Sequence, residues 1–261
     1  MDFKNILIRK EEGIAWLMVN RPEKRNTLDI ATRREIVKAY EEIRDDLFIK
    51  VLIISGVGGK VFISGSDVTE LLEFNPVEME DFLATKAQQV YTKFEHLDKP
   101  VIAMIDGFCL GSGLELAMAA DIRVSSTLSK FGMPEVDVGV IPGGGGTQRL
   151  ARLVGMGMAK KMIFTGEIID AETAFRIGLV DEIVLPEKLE ETTLSMAKKI
   201  SQKSPLTIKW AKRAINNSQE TSLTMGLAYE ALVESFIISS LDAKEGMKAF
   251  VEKRSPRFKG R

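Results

Sequence analysis

Cysteine and histidine are nearly absent from this sequence: its 261 residues include one of each, Cys109 and His96. A single cysteine excludes an intrachain disulfide and a cysteine-rich metal site, and it fits a reducing compartment. A single histidine leaves one possible base for a serine triad and no two-histidine zinc centre within the chain. That histidine lies in "FEHLDKP", where a helical pattern ends before Pro100, and it reads as a residue complementing the negative end of a helix. Net charge is lacking too. The 36 basic and 37 acidic side chains leave a formal charge of −1, so no electrostatic argument points to a polyanion or a membrane surface. No apolar run approaches the roughly 20 residues that span a bilayer. The opening "MDFKNILIRK" has no basic region leading into an apolar stretch, as an export signal needs. The expectation is a cytoplasmic protein whose chemistry rests on carboxylates, backbone groups or a cofactor.

What is present is the balance of an ordinary globular protein, with 45% hydrophobic and 28% charged residues. Two β-rich runs around Glu11-Glu12-Gly13 predict a hairpin. The segment "DIATRREIVKAYEEIRDD" places Ile30, Ile36, Ala39, Tyr40 and Ile43 on one helical face. "KVLIISG" and "PVIAMIDG" are short apolar runs of the buried-strand type, separated by a helix over about residues 77–97. In "SGSDVTELLEF", Asp67 and Glu70 have the spacing of a capping box at a helix start. "IRVSS", "KFGM" and "LVDEIV" read as strands, and "TQRLARLVG" as a helix closed by Gly155. From about Glu187 onward four helical segments follow without a convincing strand. Residues 222–238 carry apolar side chains on more than one face, which suggests packing against something large, such as another subunit. The alternation implies an α/β core. No fixed-period repeat is visible.

Several familiar motifs fail. "GSGLEL" lacks the third glycine of a dinucleotide fingerprint, and no segment ends in the Lys-Ser/Thr of a P-loop. Leu110 stands where a nucleophile elbow around Ser112 requires a glycine. Glu115, in "GSGLELAMAADI", is the puzzle, because an unpaired carboxylate among apolar residues is costly to bury. One reading is a capping box with Ser112. The other keeps the geometry but gives it work: Gly111 and Gly113 permit close backbone approach, helix-opening N–H groups stabilise an oxyanion, and Glu115 moves a proton. "ISGSD" has the same glycine-turn character. Glu135 follows Pro134 and precedes "PGGGG", a run that either cradles an anion or makes a tight strand-to-helix connection.

These stretches together resemble the crotonase superfamily, and within it the enoyl-CoA hydratases. The resemblance covers almost the whole chain and is most specific in "KPVIAMIDGFCLGSGLELAMAADIRV" and "KFGMPEVDVGVIPGGGGTQRLARLVG". It implies a spiral of strand-strand-helix units over residues 1–195. It also implies a C-terminal helical region, 196–261, that mediates assembly into a homotrimer or a hexamer made of two trimers. The implied ligand is an acyl-CoA thioester. Coenzyme A enters as part of the substrate, and neither a metal nor a further cofactor is required. By resemblance, backbone N–H groups of Ser66 and Ser112 form the oxyanion hole, and Glu115 and Glu135 handle the water. Ser64, Gly65, Val68, Gly111 and Gly143 are expected around the substrate. Lys24, Phe258 and Lys259 are expected near its CoA portion, the last two in a tail with five basic residues, "EKRSPRFKGR".

The joint presence of both glutamates points toward hydration. Isomerisation of an enoyl-CoA and hydrolysis of an acyl-CoA are the enzymatic alternatives. A non-catalytic RNA-binding member is the alternative of another class, and the neutral charge with only 7% aromatic residues argues against it. Ser66 and Ser112 replace the alanine and glycine common in such hydratases. Since the oxyanion contacts use N–H groups, the hole is expected to survive and the acyl pocket to change shape.

Overall fold

The positive φ angles of Glu12 and Gly13 turn strand β1 (Ile6–Glu11) back onto β2 (Ile14–Val19), giving the expected antiparallel hairpin. The computed structural model describes residues 3–261. Helix α1 (Ile30–Asp45) starts where the Asp29 carboxylate accepts the Thr32 N–H, and it buries Ile36, Ala39, Tyr40 and Ile43. Strand β3 (Val51–Gly56) lies parallel to β2, and β4 (Val61–Ile63) leaves for a second sheet. Helices α2 (Pro76–Phe82) and α3 (Gln89–Glu95) follow, joined by a π-helical stretch over Leu83–Gln88. Next come β5 (Val101–Ile105), β6 (Phe108–Leu110) and α4 (Ser112–Met118). The following turn comprises β7 (Ile122–Ser126), β8 (Lys130–Gly132), α5 (Gly146–Val154) and α6 (Met156–Thr165). It leads to β9 (Ile169–Asp170), α7 (Ala171–Arg176), β10 (Glu182–Val184) and α8 (Leu189–Ser201). Three helices end the chain: α9 (Pro205–Asn217), α10 (Leu223–Ile237) and α11 (Leu241–Val251).

The strands divide between a six-stranded sheet ordered β1-β2-β3-β5-β7-β10 and a four-stranded one ordered β4-β6-β8-β9. Three turns of the spiral give one strand to each sheet and then helices, as in β3-β4-α2/α3 and β5-β6-α4, whereas β1 and β2 both lie in the six-stranded sheet. The turns are unequal. Two helical segments separate Val51 from Val101, whereas α4 alone separates β6 from Ile122, so the repeated architecture leaves no fixed period in the sequence. Alternating side chains divide the large sheet's two faces. Ile14, Trp16, Val51 and Ile53 pack with Leu189 and Ala197 of α8. Leu17, Leu52 and Ile54 join the main core with side chains of α1 and α3.

The structure corrects two expectations and adds elements that the sequence does not announce. Asp67 and Glu70 do not form a capping box: only a short 3-10 turn, Val68–Glu70, follows Asp67, and Asp67 accepts from Thr69 N–H. The Glu70 carboxylate instead accepts the Ile30 N–H at the start of α1, 2.8 Å away. A boundary after residue 195 falls inside α8, whose burial against the large sheet continues across it. The helices free of that sheet begin with α9. Finally, α6, α7, β4, β6 and β9 went unread, the strands because two or three residues are too few to display an alternation.

Helix α9 is tied to the core by Lys212, whose ammonium donates to the Phe94 and Lys99 carbonyls and pairs with Asp121 at 2.8 Å. Helix α10 leaves Leu223, Met225, Leu227, Leu232 and Phe236 exposed. The tail folds back on α11, where buried Asp242 accepts the N–H groups of Lys259 and Gly260 and the Ser204 hydroxyl. Among the described residues no helix is long and apolar enough to cross a membrane.

Candidate active site

Strands β4 and β6 are parallel neighbours, so the loops leaving their C-terminal ends emerge side by side. Gly65 and Gly111 turn those loops, with φ of 126° and 50°, a region other residues enter at a penalty. Gly113 then lets α4 sit directly on β4, since a Cβ there would come within 2.2 Å of the Ile63 carbonyl. The Ser66 and Ser112 hydroxyls meet at 2.8 Å. The first loop is held from behind. Leu28 N–H donates to the Gly65 carbonyl and Asp67 N–H to that of Leu28, while buried Asn26 donates to the Val57 and Val61 carbonyls. Ser66 N–H has no backbone acceptor among the described residues. Ser112 N–H opens α4 and so lacks an intrahelical one.

Glu115, 1% exposed, is not part of a capping box. Gly111 is the N-cap and Ser112 the first helical residue, with no side chain capping the helix. The Ser112 hydroxyl donates to Glu115 Oε2 at 3.2 Å. The other carboxylate oxygen accepts N–H groups of Gly144 and Gly146, at 2.7 and 2.9 Å. The glycine run therefore does cradle an anion, and that anion is the protein's own Glu115. A Cβ at Gly144 would lie 2.3 Å from Glu115 Oε2, and one at Gly146 would lie 2.2 Å from Met133 Cε. Arg149 secures this cradle by donating to the Gly144 carbonyl while pairing with Glu95. Burial pushes the Glu115 pKa upward; the two glycine N–H groups, Arg33 and Ser112 oppose the shift.

Glu135 belongs to a short 3-10 turn, Pro134–Val138, with proline in the first position as expected. Its carboxyl group faces Gly111, where a Cβ would lie 3.0 Å from Oε1. Oε2 is buried and has no hydrogen-bond partner among the described residues. Burial raises its pKa to about 7, with the nearby Glu115 charge adding to the rise and a backbone N–H opposing it.

The structure thus brings Gly65, Ser66, Gly111, Ser112, Glu115 and Glu135 together. Ser64, half-buried, leads into the first loop, and its N–H donates to the Arg25 carbonyl. Gly143 packs on Leu83 and its carbonyl accepts from Gln88. Lys24 and Val68 are exposed. Phe258 and Lys259 stay with the C-terminal helices, Phe258 against Gly246 of α11.

Two residues at this site were missed from sequence. Arg33 of α1 is 1% exposed, and its guanidinium donates to Ser66 Oγ at 2.8 Å, Ser112 Oγ at 3.4 Å and the Tyr91 hydroxyl. Tyr91 of α3 is itself fully buried. The available signal was position: Arg33 falls on the stripe continued by Ile36 and Tyr40, where α1 otherwise buries apolar groups.

The sequence matches the family described as enoyl-CoA hydratase/isomerase over residues 9–261. It is 42% identical to the short-chain-enoyl-CoA hydratase of Clostridium acetobutylicum, with 97% of each chain covered. It is also 42% identical to the crotonyl-CoA hydratase of Syntrophomonas wolfei, with 99% of each covered. The fold is similar to the crystal structure of an enoyl-CoA hydratase from Bacillus anthracis, with a TM-score of 0.94 at 35% identity, over 99% of this chain and all of the other.

Proposed function

The chain belongs to the enoyl-CoA hydratase/isomerase family, and from that premise we propose how its residues carry out hydration. The protein is an enoyl-CoA hydratase, a hydro-lyase that adds water across the 2,3 double bond of an enoyl-CoA thioester to give a 3-hydroxyacyl-CoA. The observation that carries the mechanism is the convergence of a buried carboxyl group, Glu115, and a half-buried one, Glu135, with opposite surroundings, on two N–H-bearing loops.

Water adds poorly to an isolated alkene, but conjugation with the thioester lets the carbonyl oxygen take up the electrons as an enolate. Ser66 and Ser112 N–H groups stabilise that oxygen, a contribution of about 3–4 kcal/mol per donor in comparable sites. Glu115 is the base. Its carboxylate accepts two backbone N–H groups and a hydroxyl, all of which favour the ionised form. Glu135 is the acid, since burial without a partner for Oε2 favours its protonated form. Glu115 takes a proton from water as the oxygen bonds to C3, and Glu135 delivers a proton to C2, so the elements of one water are added.

Ser64, Gly65, Val68, Gly111 and Gly143 border the thioester in this reading, and Lys24, Phe258 and Lys259 meet the CoA moiety. No cofactor beyond the CoA substrate takes part. The helices from α9 onward assemble the protein into a trimer or a hexamer, a reading supported by the exposed apolar side chains of α10. Light scattering should give a multiple of three subunits. A cytoplasmic setting suits the lone, buried cysteine.

A panel of enoyl-CoA esters tests the activity, followed by loss of the conjugated absorbance and by mass. Hydration adds one water. An unchanged mass would mean isomerisation, and release of free CoA would mean hydrolysis; either as the main product overturns the reading.

A further inference from the structure

A guanidinium with 1% exposure is expensive unless charge and hydrogen bonds compensate it. Around Arg33 the compensation is peculiar. Its hydrogen bonds go to neutral oxygens: Ser66 Oγ, Ser112 Oγ, the Tyr91 hydroxyl and, at 3.5 Å, the Lys86 carbonyl. Nε has no partner among the described residues. The network reaches a carboxylate through Ser112, whose hydroxyl donates onward to Glu115. Methionine or leucine would fill the same helix face without this penalty. The charge therefore has a role that packing alone does not require.

We propose that Arg33 is a positioning residue for the hydration reaction. With Tyr91 it pins the two serines that carry the oxyanion N–H groups, and it sets a fixed positive charge behind both the thioester oxygen and Glu115. Three observations support this. Arg33 is the donor common to Ser66 and Ser112, so one rigid fork joins loops from different turns of the spiral. Its orientation is fixed independently, because Tyr91 comes from α3 and the Phe82 ring lies 5.5 Å from the guanidinium carbon. Its charge also acts on the groups the reaction uses: the titratable groups facing Glu115 are Arg33 from α1, Tyr91 from α3 and Glu135 from the 3-10 turn. Of these Arg33 alone is cationic; Arg149 of α5 lies behind the cradle on the Gly144 carbonyl, paired with Glu95, so Arg33 is the cation that acts directly to favour the ionised base. An enolate oxygen held by the Ser66 and Ser112 N–H groups experiences the same field, and it gains in the transition state rather than in the bound substrate.

This inference rests on the hydratase reading, and its test separates the two. Arg33→Met, Arg33→Lys and Tyr91→Phe are compared with wild type in kcat, KM and pH profile. In parallel, carbon-13 NMR titrates the glutamate carboxyls, with Glu115 assigned through Glu115→Gln. Arg33→Met should lower kcat by about tenfold to a hundredfold with KM changed less than about threefold, since the interaction strengthens in the transition state. Losing the cation should move the acid limb of kcat and the Glu115 titration upward by about one pH unit. Arg33→Lys should restore the Glu115 titration to near wild type, and Tyr91→Phe should lower kcat less than Arg33→Met does. A folded Arg33→Met protein with wild-type kcat and Glu115 titration overturns the proposal. So does Arg33→Lys if its titration matches that expected for Arg33→Met. If Arg33→Met does not fold, the lysine and Tyr91→Phe variants decide, and wild-type kcat and titration in Tyr91→Phe together with a displaced titration in Arg33→Lys overturn it. The NMR readout needs no turnover. Absence of hydration by wild type therefore sinks the hydratase reading by itself, while the titration judges the placement of charge.

Discussion

The cradle around Glu115 and the turn bearing Glu135 solve the same problem in opposite ways. Both place at least one carboxyl oxygen out of water near Gly111. In the cradle, the chain supplies two backbone N–H groups, a serine hydroxyl and the nearby Arg33 charge. In the turn it supplies no partner to Oε2 among the described residues, and the neighbouring Glu115 charge works against ionisation. The difference teaches that two identical side chains acquire different balances of protonation from their donors rather than from their own chemistry, which is what the proposed roles build on.

The strongest challenge to that contrast is to remove each carboxyl group in turn. On the proposed mechanism, Glu115→Gln and Glu135→Gln each lower kcat by about a hundredfold or more, the usual size of a general acid–base contribution. Both variants should fold. A glutamine at 115 still offers an oxygen to Gly144 and Gly146, so a merely structural Glu115 would be replaced without loss of turnover. Steady-state rates on purified, folded variants make the measurement, and near-wild-type turnover in either removes that residue from the mechanism.

The cradle itself can be crowded without touching the carboxylate. Gly144→Ala would push a methyl group to 2.3 Å from Glu115 Oε2 and 2.6 Å from the Tyr91 ring. Overpacking of this kind costs about 1–3 kcal/mol, and a displaced Glu115 should lower kcat by about tenfold or more. Gly157→Ala is the control. That glycine lies within α6 with nothing near its Cβ position, and alanine there should raise stability by about 0.5–1 kcal/mol with activity unchanged. Thermal melts and rates for the pair report whether the glycine run matters for space or only for its turn.

A third comparison uses pH. Because the folded protein raises Glu135 from 4.5 to about 7, its burial favours folding most below the unfolded pKa. That advantage is lost as the pH rises through 7. Glu135→Gln, which cannot ionise, should therefore gain in melting temperature relative to wild type as pH is raised from about 5 to 8. In the reaction, loss of the Glu135 proton should appear as an alkaline limb of kcat/KM in the free enzyme with an apparent pKa near 7. A melting-temperature gap that stays constant over this range would mean that Glu135 titrates like an exposed carboxylate.

The contrast was partly legible in the sequence. Glycine-flanked "GSGLEL" and the proline before Glu135 marked both carboxylates because their local constraints lie within a few residues. The hairpin, α1 and the apolar strands β3 and β5 were legible for the same reason. The partners that distinguish the two glutamates were not. Gly144 and Gly146 meet Glu115 from 29 and 31 residues away, and Arg33 reaches Ser112 across 79. Such contacts arise only when successive turns of the spiral stack. The capping box read into Ser112 and Glu115 failed because a buried carboxylate offered backbone donors of another loop has no need of its own helix end. The short strands β4, β6 and β9 owe their existence to neighbours, and their own residues carry too little pattern to announce them.

The smallest expected effect discriminates most finely, because it separates the Ser112 side chain from its backbone. The hydroxyl touches Glu115, Ser66 and Arg33, whereas the proposed role in stabilising the enolate belongs to the N–H. Ser112→Ala keeps the N–H and removes one donor to a carboxylate that retains two others, so kcat should fall by less than about tenfold. The remaining loss should resemble a weaker version of Arg33→Met, since the alanine variant breaks the same chain of hydrogen bonds at its last link. Ser112→Pro is the informative opposite. Proline is well tolerated at the first position of a helix, where Ser112 stands, so the substitution deletes the N–H with little other damage to α4. It should reduce kcat by about a hundredfold or more if that N–H holds the thioester oxygen. Circular dichroism confirms folding in both. An inactive, folded alanine variant would move the chemistry onto the hydroxyl and break the assignment of this loop to an oxyanion.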